Sequence, residues 1–315
     1  MTILGIDTSC YTTSVALFGP DGVQRDERML LRAPEGSRGM RQSDALFHHV
    51  QQLPELFERL GALRDIGGIA VSARPRPVEG SYMPVFTVGL GWARSMAGVL
   101  GVPLLHSSHQ EGHIAAGCLL EPSAFTESFL AFHLSGGTTE LLGVTPRFGG
   151  FTVELMGRGL DVHAGQLIDR IGVALGLPFP AGPALEQLAL QCAQPQNLGI
   201  KVRVIGSDCN LSGAEAAAQR AIKAGADGAA VAYAVQAALA EGFAAMALHA
   251  ARQHGLGRVL FIGGVASNAY LRRELAQRLA RGGVDARFAV PKLSSDNAVG
   301  VAYLGYQFFT IKEHQ

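Results

Sequence analysis

The sequence predicts an α/β protein built from two related lobes around a nucleotide cleft. Its 315 residues, 33.1 kDa in mass, exceed what one small core needs and suit two domains that each bury an interior. A β-hairpin pattern also occurs twice, once at the start of the chain and once after residue 128. We therefore expect an N-terminal lobe over residues 1–127 and a C-terminal lobe over 128–315, with part of the C-terminal helix packing back on the first lobe.

The first hairpin opens the N-terminal lobe. Apolar residues 2–6 and 14–18 predict two strands, and the polar stretch Asp7-Thr8-Ser9 predicts the turn that ends the first strand. Leucines and phenylalanines at helical spacing then predict a helix over 41–61, interrupted at Pro54. Residues 68–71 predict a buried strand, so this lobe begins with β-structure and continues as α/β.

The second hairpin repeats the plan of the first. Residues 129–134 and 140–144 predict its strands, and both hairpin tips carry paired threonines, Thr12-Thr13 and Thr138-Thr139, which indicates two related lobes. The rest of the chain predicts helices at 164–175, 229–254 and 269–281, a loop at 178–183 followed by another helix, strands at 258–262 and 286–290, a polar turn at 294–297 and a final helix.

The composition indicates a folded, enzyme-like chain. It is 48% hydrophobic and 17% charged, with 26 basic and 26 acidic residues, which excludes a disordered or strongly charged protein. This balance argues against unaided binding of nucleic acid, so an RNA partner would need help from another protein.

The cysteines are Cys10, Cys118, Cys192 and Cys209, without a CxxC pair, and the first ten residues have neither the basic start nor the long apolar run typical of a signal peptide. We expect a cytoplasmic protein with reduced thiols and without a membrane span.

Two imidazoles lie four residues apart in the segment His109-Gln110-Glu111-Gly112-His113. On a helix this spacing places both rings on one face, where they suit one zinc or iron ion together with a carboxylate. Two polar residues on a solvated helix have the same pattern, so the spacing alone leaves both interpretations open. Because Glu111 stands third in the segment, the pattern is not the HExxH of metalloproteases.

Two glycine-rich segments follow predicted strands and suit phosphate binding. Ser135-Gly136-Gly137-Thr138-Thr139 exposes backbone N–H groups and hydroxyls, although a plain hairpin turn is the alternative. Gly263-Gly264 ends a strand before a helix, which lets the backbone approach phosphate or ribose. Asp7 could hold a water or a cation near phosphates or cap a turn, and Asp169 could bind a ligand or lie on the surface.

Taken in order, these motifs resemble the TsaD family, formerly called O-sialoglycoprotein endopeptidases, over nearly the whole chain. The resemblance depends on the order and spacing of eight segments more than on any one of them. They are Gly5 to Cys10, His109 to His113, Ser135 to Gly137, Ala164-Gly165 with Asp169, Gly182-Pro183, Leu211-Ser212-Gly213, Gly263 to Asn268 and, at the end, Ser295-Asp296-Asn297.

The resemblance implies an actin-like ATPase fold (ASKHA, ribonuclease H-like) and a set of site residues. It implies that His109, His113 and Asp296 bind a divalent metal, iron or zinc. It also implies an adenine-nucleotide site for ATP or an adenylate, with magnesium, whose residues are Ser135, Gly136, Gly137, Asp169, Gly182, Gly264 and Asn268. Asp7, Ser135 and Thr138 are the candidate catalytic residues.

The same resemblance implies a reaction and its partners. Members of the family transfer the threonylcarbamoyl group of threonylcarbamoyl-adenylate to N6 of adenosine 37 in tRNA, and the metal would polarise the carbonyl. The partners expected for this chain are the nucleotide, tRNA presented with helper proteins, and either a second copy in a homodimer or other subunits in a hetero-complex.

Several departures from the family pattern lie near the expected reaction centre. Tyr11 and Thr12 replace an acidic pair, Thr138 replaces a histidine and Gln166 replaces a glutamate. Arg74 and Arg76 stand where the family has a glycine-rich turn, and they could bind a carboxylate or phosphate or lie exposed in a loop. Two alternatives therefore stay open, a carbamoyltransferase acting on another acceptor and a catalytically silent nucleotide-binding scaffold.

Overall fold

The chain folds into two compact units. A computed structural model describes residues 1–9, 11–31, 40–61, 63 and 65–313, so Cys10 of the first motif lies outside the described residues. Unit 1 comprises Met1–Thr126, Pro146–Thr152 and Ser295–Gln315, and unit 2 comprises Glu127–Thr145 and Val153–Ser294. Unit 1 therefore contains the end of the chain as well as its beginning.

Unit 1 contains a five-stranded sheet in the order β3-β2-β1-β4-β5. The strands are β1 Thr2–Ser9, β2 Thr12–Gly19, β3 Gly22–Leu30, β4 Ile66–Arg74 and β5 Leu104–Ser108. β1, β2 and β3 pair in antiparallel fashion, whereas β1, β4 and β5 run parallel. The carboxyl ends of β1, β4 and β5 consequently meet at one edge, where α/β proteins place their ligands.

The turn predicted at residues 7–9 is wrong, because β1 continues to Ser9. Asp7 pairs with Ser14 and Ser9 pairs with Thr12, so this polar stretch is strand and the hairpin turns after it. Hydrogen bonds within the unit help to accommodate this buried polar stretch, since Thr8 donates its hydroxyl to the carbonyl of Val85 over 2.9 Å.

The helices of unit 1 cover this sheet. They are α1 Gln42–Leu60, α2 Phe86–Leu100, α3 His109–Cys118, the 3₁₀ helix Pro122–Phe125 and, at the end of the chain, α10 Val299–Glu313. The predicted interruption at Pro54 does not occur, and α1 runs through it. Leu53, Leu56 and Leu60 bury one continuous face of α1 in the core, and this packing outweighs the hydrogen bond that proline removes.

Unit 2 repeats the strand order of unit 1. Its sheet runs β12-β11-β6-β7-β8, so its first hairpin strand is central and its two later strands lie on one side, as in unit 1. The strands are β6 Phe129–Leu134, β7 Thr139–Arg147, β8 Gly150–Arg158, β11 Arg258–Ile262 and β12 Asp285–Phe288, with a separate pair formed by β9 Arg203–Ile205 and β10 Asp208–Asn210. The duplication expected from the two hairpin patterns is therefore present in the folded chain.

The helices of unit 2 build a large apolar core. They are α4 Ala164–Ala174, α5 Gly182–Ala189, α6 Ser212–Lys223, α7 Gly228–His254, the 3₁₀ helix Gly264–Ser267, α8 Ala269–Arg281 and α9 Pro291–Ser294. By length and composition α7 alone, among the helices described, could cross a membrane, yet 67% of its most apolar window is buried inside the protein. Such burial is typical of a core helix.

The backbones of α3 and α10 touch each other through glycines. A Cβ atom at Gly300 would overlap the carbonyl oxygen of Gly112 and lie 2.7 Å from the amide nitrogen of Ala116. A Cβ atom at Gly112 would lie 2.8 Å from the Val301 side chain. The two helices can therefore approach this closely only because both positions lack a side chain.

We expect Gly300→Ala to destabilise the protein by about 1–3 kcal/mol, because the added methyl group meets backbone that cannot rotate away. Urea denaturation of the two proteins measures the difference. Gly98→Ala is the matched control, since Gly98 lies in α2 with no atom near its Cβ position, and it should gain about 0.5–1 kcal/mol. Equal stability of Gly300→Ala and the wild type would contradict the packing described above.

A buried histidine, His49 of α1, makes the stability of unit 1 depend on pH. Its ring is fully buried, and Nδ1 lies 2.8 Å from Oγ1 of Thr13. Burial lowers the pKa of His49 to about 4, although Asp7 opposes the shift. Because an unfolded histidine titrates near pH 6.5, the unfolded chain binds a proton between about pH 6.5 and 4 that the folded protein does not bind.

The stability that neutral His49 provides should therefore be complete above about pH 6.5 and fall, by up to about 3 kcal/mol, as the pH drops towards 4. Urea denaturation at several pH values should show a smaller loss in His49→Gln than in the wild type. His254→Gln, at an exposed position, should keep the wild-type dependence. The same pH dependence in all three proteins would rule out this role of His49.

Candidate metal and nucleotide sites

The predicted metal ligands converge at the strand-end edge of unit 1. Ser108 ends β5 and α3 follows directly, so His109 and His113 stand one turn apart at the beginning of a helix. Asp296 lies just before α10, which the glycine contact holds against α3. One ligand atom from each of the three residues lies within 4.8 Å of the others.

The spacing of these three side chains fits a metal ion. Nε2 of His113 lies 3.1 Å from Nε2 of His109 and 3.2 Å from Oδ1 of Asp296, and the remaining distance, from His109 to Asp296, is 3.6 Å. Ligand atoms placed about 2.0–2.1 Å from a tetrahedral zinc ion stand about 3.3 Å apart. Two imidazoles and one carboxylate would leave a coordination position open, as in catalytic rather than structural sites.

Asp7 contacts this cluster through His109, on the ring nitrogen that does not face His113. Its Oδ2 lies 2.8 Å from Nδ1 of His109 and accepts a hydrogen bond from Oγ of Ser72 over 2.8 Å. Burial by itself would lower the pKa of His109, but the charge and hydrogen bond of Asp7, together with Asp296, raise it to about 9. A carboxylate on one ring nitrogen of a histidine turns the other nitrogen towards a metal. The buried position of Asp7 thus suits a supporting role beside His109.

The loop that carries Asp296 is held by β3. Nη1 of Arg28 donates to Oγ of Ser295 over 3.1 Å and to the carbonyl oxygen of Asp296 over 3.3 Å. Arg28 is itself oriented by Asp26, whose Oδ1 accepts from Nε over 2.8 Å. These hydrogen bonds from Arg28 fix the backbone of the loop and so restrict the position of the Asp296 carboxylate.

The predicted phosphate segment of unit 2 forms an open turn between β6 and β7. The amide of Ser135 donates to the carbonyl of Thr138 over 2.8 Å, and Gly136 and Gly137 are exposed with no atom near their Cβ positions. Gly165, near the start of α4, packs directly on this turn, since a Cβ there would lie 2.6 Å from Cα of Gly136. The turn thus combines exposed glycines with an adjacent helix start, which are features that phosphates favour.

The other predicted nucleotide residues also lie in unit 2. Asp169, on α4, accepts a hydrogen bond from the amide of Ala181 over 2.7 Å, and burial raises its pKa. That bond holds the segment leading into Gly182, the first residue of α5. Gly264 is exposed at the start of the 3₁₀ helix that follows β11, the neighbour of β6. Asn268 caps α8, its Oδ1 accepting from the amide of Leu271 over 2.8 Å.

The candidate catalytic residues belong to different units. Asp7 belongs to unit 1, and Ser135 and Thr138, both half-buried, belong to unit 2. Arg74 ends β4 and Arg76 follows in a loop, and both are exposed at the edge of unit 1 that carries the histidines. Arg74 is therefore an exposed strand-end residue and Arg76 an exposed loop residue, and the charged group of a ligand could reach both.

Four residues of the site were missed by sequence reasoning. Ser72, Arg28 and Arg147 contribute through contacts between distant parts of the chain, which no local pattern reveals. The fourth, Glu111, has a local signal, because Ser108-His109-Gln110-Glu111 is a capping-box sequence. The structure contains that capping box, with Ser108 as the N-cap residue.

Several solved structures have similar folds, including two that contain a bound nucleotide. The chain matches full-length HypF in a phosphate- and nucleotide-bound form with a TM-score of 0.62 and 12% identity, over 99% of this chain and 46% of that one. It matches HypF of T. kodakarensis with a TM-score of 0.60 and 18% identity, over 98% and 48%. The chain thus spans about half the length of these proteins. The ADPNP-bound activator of 2-hydroxyisocaproyl-CoA dehydratase from Clostridium difficile matches over 100% and 97%, with a TM-score of 0.55 and 16% identity.

These matches show the fold alone, and they confirm the predicted actin-like ATPase architecture with two duplicated α/β lobes.

Comparisons of sequence identify the family to which the chain belongs. The model of the TsaD family, described as tRNA N6-adenosine threonylcarbamoyltransferase, matches residues 34–303. A protein of that name from Aromatoleum aromaticum is 34% identical over 97% of this chain and 90% of its own length. The chain therefore belongs to the TsaD family.

Proposed function

We propose that this protein is a metal-dependent transferase that moves a threonylcarbamoyl group from threonylcarbamoyl-adenylate to N6 of adenosine 37 in tRNA. The family and the name of its Aromatoleum relative support the reaction class. The observation that carries the proposal is the spacing of His109, His113 and Asp296, which is 3.1–3.6 Å between ligand atoms. A protein that served only as a scaffold would not need three convergent ligands.

The proposal assigns separate tasks to the two units. Unit 2 holds the adenylate, with its phosphate on the Ser135–Gly137 turn and its adenosine near Asp169, Gly182, Gly264 and Asn268. Unit 1 holds an iron or zinc ion on His109, His113 and Asp296. Magnesium would accompany ATP if the nucleotide binds in that form.

The transfer forms a bond between N6 of the acceptor adenosine and the carbamoyl carbon, and it breaks the bond from that carbon to the phosphate oxygen. AMP leaves with the electron pair, and the amine loses a proton. A metal on the three ligands would supply Lewis acidity to the carbonyl. Asp7 keeps His109 oriented, and Ser135 and Thr138 present hydroxyls that can donate to the phosphate. The neutral charge balance implies that other proteins help to hold the tRNA.

One observation favours a second function, carbamoyl transfer to a different acceptor. Arg74 and Arg76 are exposed where the family has a glycine-rich turn. Guanidinium groups bind carboxylates and phosphates in a bidentate manner, so they would suit an acceptor that carries such a group. In this second function the metal would again supply Lewis acidity to the carbonyl, and an adenylate would again be the donor of the transferred group.

We expect His113→Ala to lose metal and transferase activity together, because His113 is a buried ligand in contact with both others. The assay supplies purified protein with threonylcarbamoyl-adenylate, an ANN-decoding tRNA and the usual bacterial partner proteins, and it measures modified adenosine and bound metal. Activity should fall at least a hundred-fold, and metal should no longer copurify.

His254→Ala is the control for this assay, because His254 is exposed at the end of α7 in unit 2. It should retain both metal and activity. Metal-loaded, nucleotide-binding wild-type protein that forms no modified adenosine would overturn the tRNA reaction and favour the second acceptor. Full activity in His113→Ala would overturn the role of the metal.

We expect Gly165→Ala to weaken nucleotide binding about ten-fold or more, because the added methyl group pushes into the Ser135–Gly136 backbone. Isothermal titration with ATP or a non-hydrolysable analogue measures the affinity. Gly213→Ala, near the start of α6 with an open Cβ position, should bind as the wild type does. Unchanged affinity in Gly165→Ala would place the phosphates away from this turn.

A further inference from the structure

Glu111 is a buried carboxylate between the two histidines that belongs to no ligand set. It is 1% exposed, and both of its oxygens accept hydrogen bonds from the protein. Oε2 accepts from the amide of Ser108 over 3.0 Å, from its hydroxyl over 2.8 Å and from the Ser107 hydroxyl over 3.4 Å. Oε1 accepts from the amide of Phe151 over 3.2 Å and from Nη2 of Arg147 over 3.1 Å.

The donors come from two separate parts of unit 1. Ser107 and Ser108 end β5, whereas Arg147 ends β7 and Phe151 is the second residue of β8, both within the segment Pro146–Thr152 of unit 1. Gly150 lets this segment come close, since a Cβ there would lie 2.5 Å from Oε1 of Glu111. One carboxylate therefore ties the end of β5 and the β7–β8 turn to the first turn of α3.

That first turn carries the histidines. Glu111 is the third residue of α3, where a side chain leans towards the helix N-terminus, and its bonds to Ser108 set the position at which the helix begins. His109 is the first residue of α3 and His113 lies one turn later. A shift of the helix start by a few tenths of an ångström would move both rings away from Asp296, which a different loop positions.

We propose that Glu111 is a positioning residue for the metal site and that Arg147 is its partner. Glu111 binds no metal itself. Its five hydrogen bonds hold α3 at the place and rotation that bring His109 and His113 within ligand distance of Asp296. This inference rests on the proposed metal site, and it adds that residues outside the ligand set determine the affinity and geometry of that site.

The test uses Co²⁺ as the metal probe on the full-length, metal-free protein. Co²⁺ affinity is measured by titration, and the visible absorption of the loaded protein reports ligand geometry. Glu111→Gln keeps the volume of the side chain but replaces one acceptor oxygen with a donor, which would face donors of the protein. We expect Co²⁺ to bind about ten- to a hundred-fold more weakly, as for other residues that orient metal ligands, and the absorption spectrum to change.

Asp161→Asn is the matched control. Asp161 of unit 2 is also a carboxylate that fixes a helix start, accepting hydrogen bonds from the amides of Val162, Leu211 and Ser212. Its replacement should lower the thermal stability but leave the Co²⁺ affinity and spectrum unchanged.

Arg147→Met, at a half-exposed side chain, provides a second variant if Glu111→Gln does not fold. Its Co²⁺ affinity should fall several-fold, and Arg147→Lys should restore part of it.

The outcomes separate the two proposals. Wild-type protein that binds no Co²⁺ at these residues would overturn the metal site and this inference with it. Wild-type binding with unchanged affinity and spectrum in Glu111→Gln, or in Arg147→Met where the first variant is unfolded, would overturn this inference alone. Weaker binding with an altered spectrum in the variant and unchanged binding in Asp161→Asn would support it.

Discussion

The contact between α3 and α10 is the constraint on which the candidate metal site depends. The helices come from the middle and the end of the chain, and their backbones meet at Gly112 and Gly300, where a side chain on either residue would force them apart. Because α3 carries the histidines and Asp296 precedes α10, this approach brings three ligands from distant parts of the sequence to within 4.8 Å of one another. The distance between α3 and α10 therefore controls the geometry of the candidate metal site. Moving the two helices about one ångström apart would separate the histidines from Asp296 by more than a metal site tolerates.

The polar groups around the ligands explain how a cluster of this kind can be buried. Asp7 lies inside a core strand with 1% of its surface exposed, which would be unfavourable without hydrogen bonds. Ser72 and His109 provide them, and Asp7 in turn orients His109. Arg28 braces the loop of Asp296, and Glu111 fixes the start of α3. The candidate site is therefore built from three potential ligands and a surrounding layer of donors and acceptors that come from β1, β3, β4, β5 and α3.

Both units use one strand order and differ in what they carry at the strand ends. In unit 1 the ends of β1, β4 and β5 present Asp7, Ser72 and the histidine pair. In unit 2 the ends of β6 and β11 present the exposed glycines of Ser135–Gly137 and Gly264, with helix starts beside them. Glycine turns suit phosphate because they expose N–H groups, whereas imidazoles and carboxylates suit a metal. A duplicated fold can therefore support two kinds of site, and the side chains at the strand ends decide which.

The sequence by itself determined the elements whose signals are local. Apolar runs in both hairpins and the helical spacing around His49 and Leu53 depend on neighbours within a few residues, so they could be predicted. The capping sequence from Ser108 to Glu111 is a local signal of the same kind, although sequence reasoning missed it. The turn expected at Asp7 and the break expected at Pro54 were wrong, because pairing with β2 and burial of α1 outweigh local preference. The ligand set had to be inferred from a family resemblance, and its role stays a prediction. Only the tertiary structure decided that Arg28, Ser72 and Arg147 surround that set, because hydrogen bonds between distant segments leave no periodic trace in the sequence.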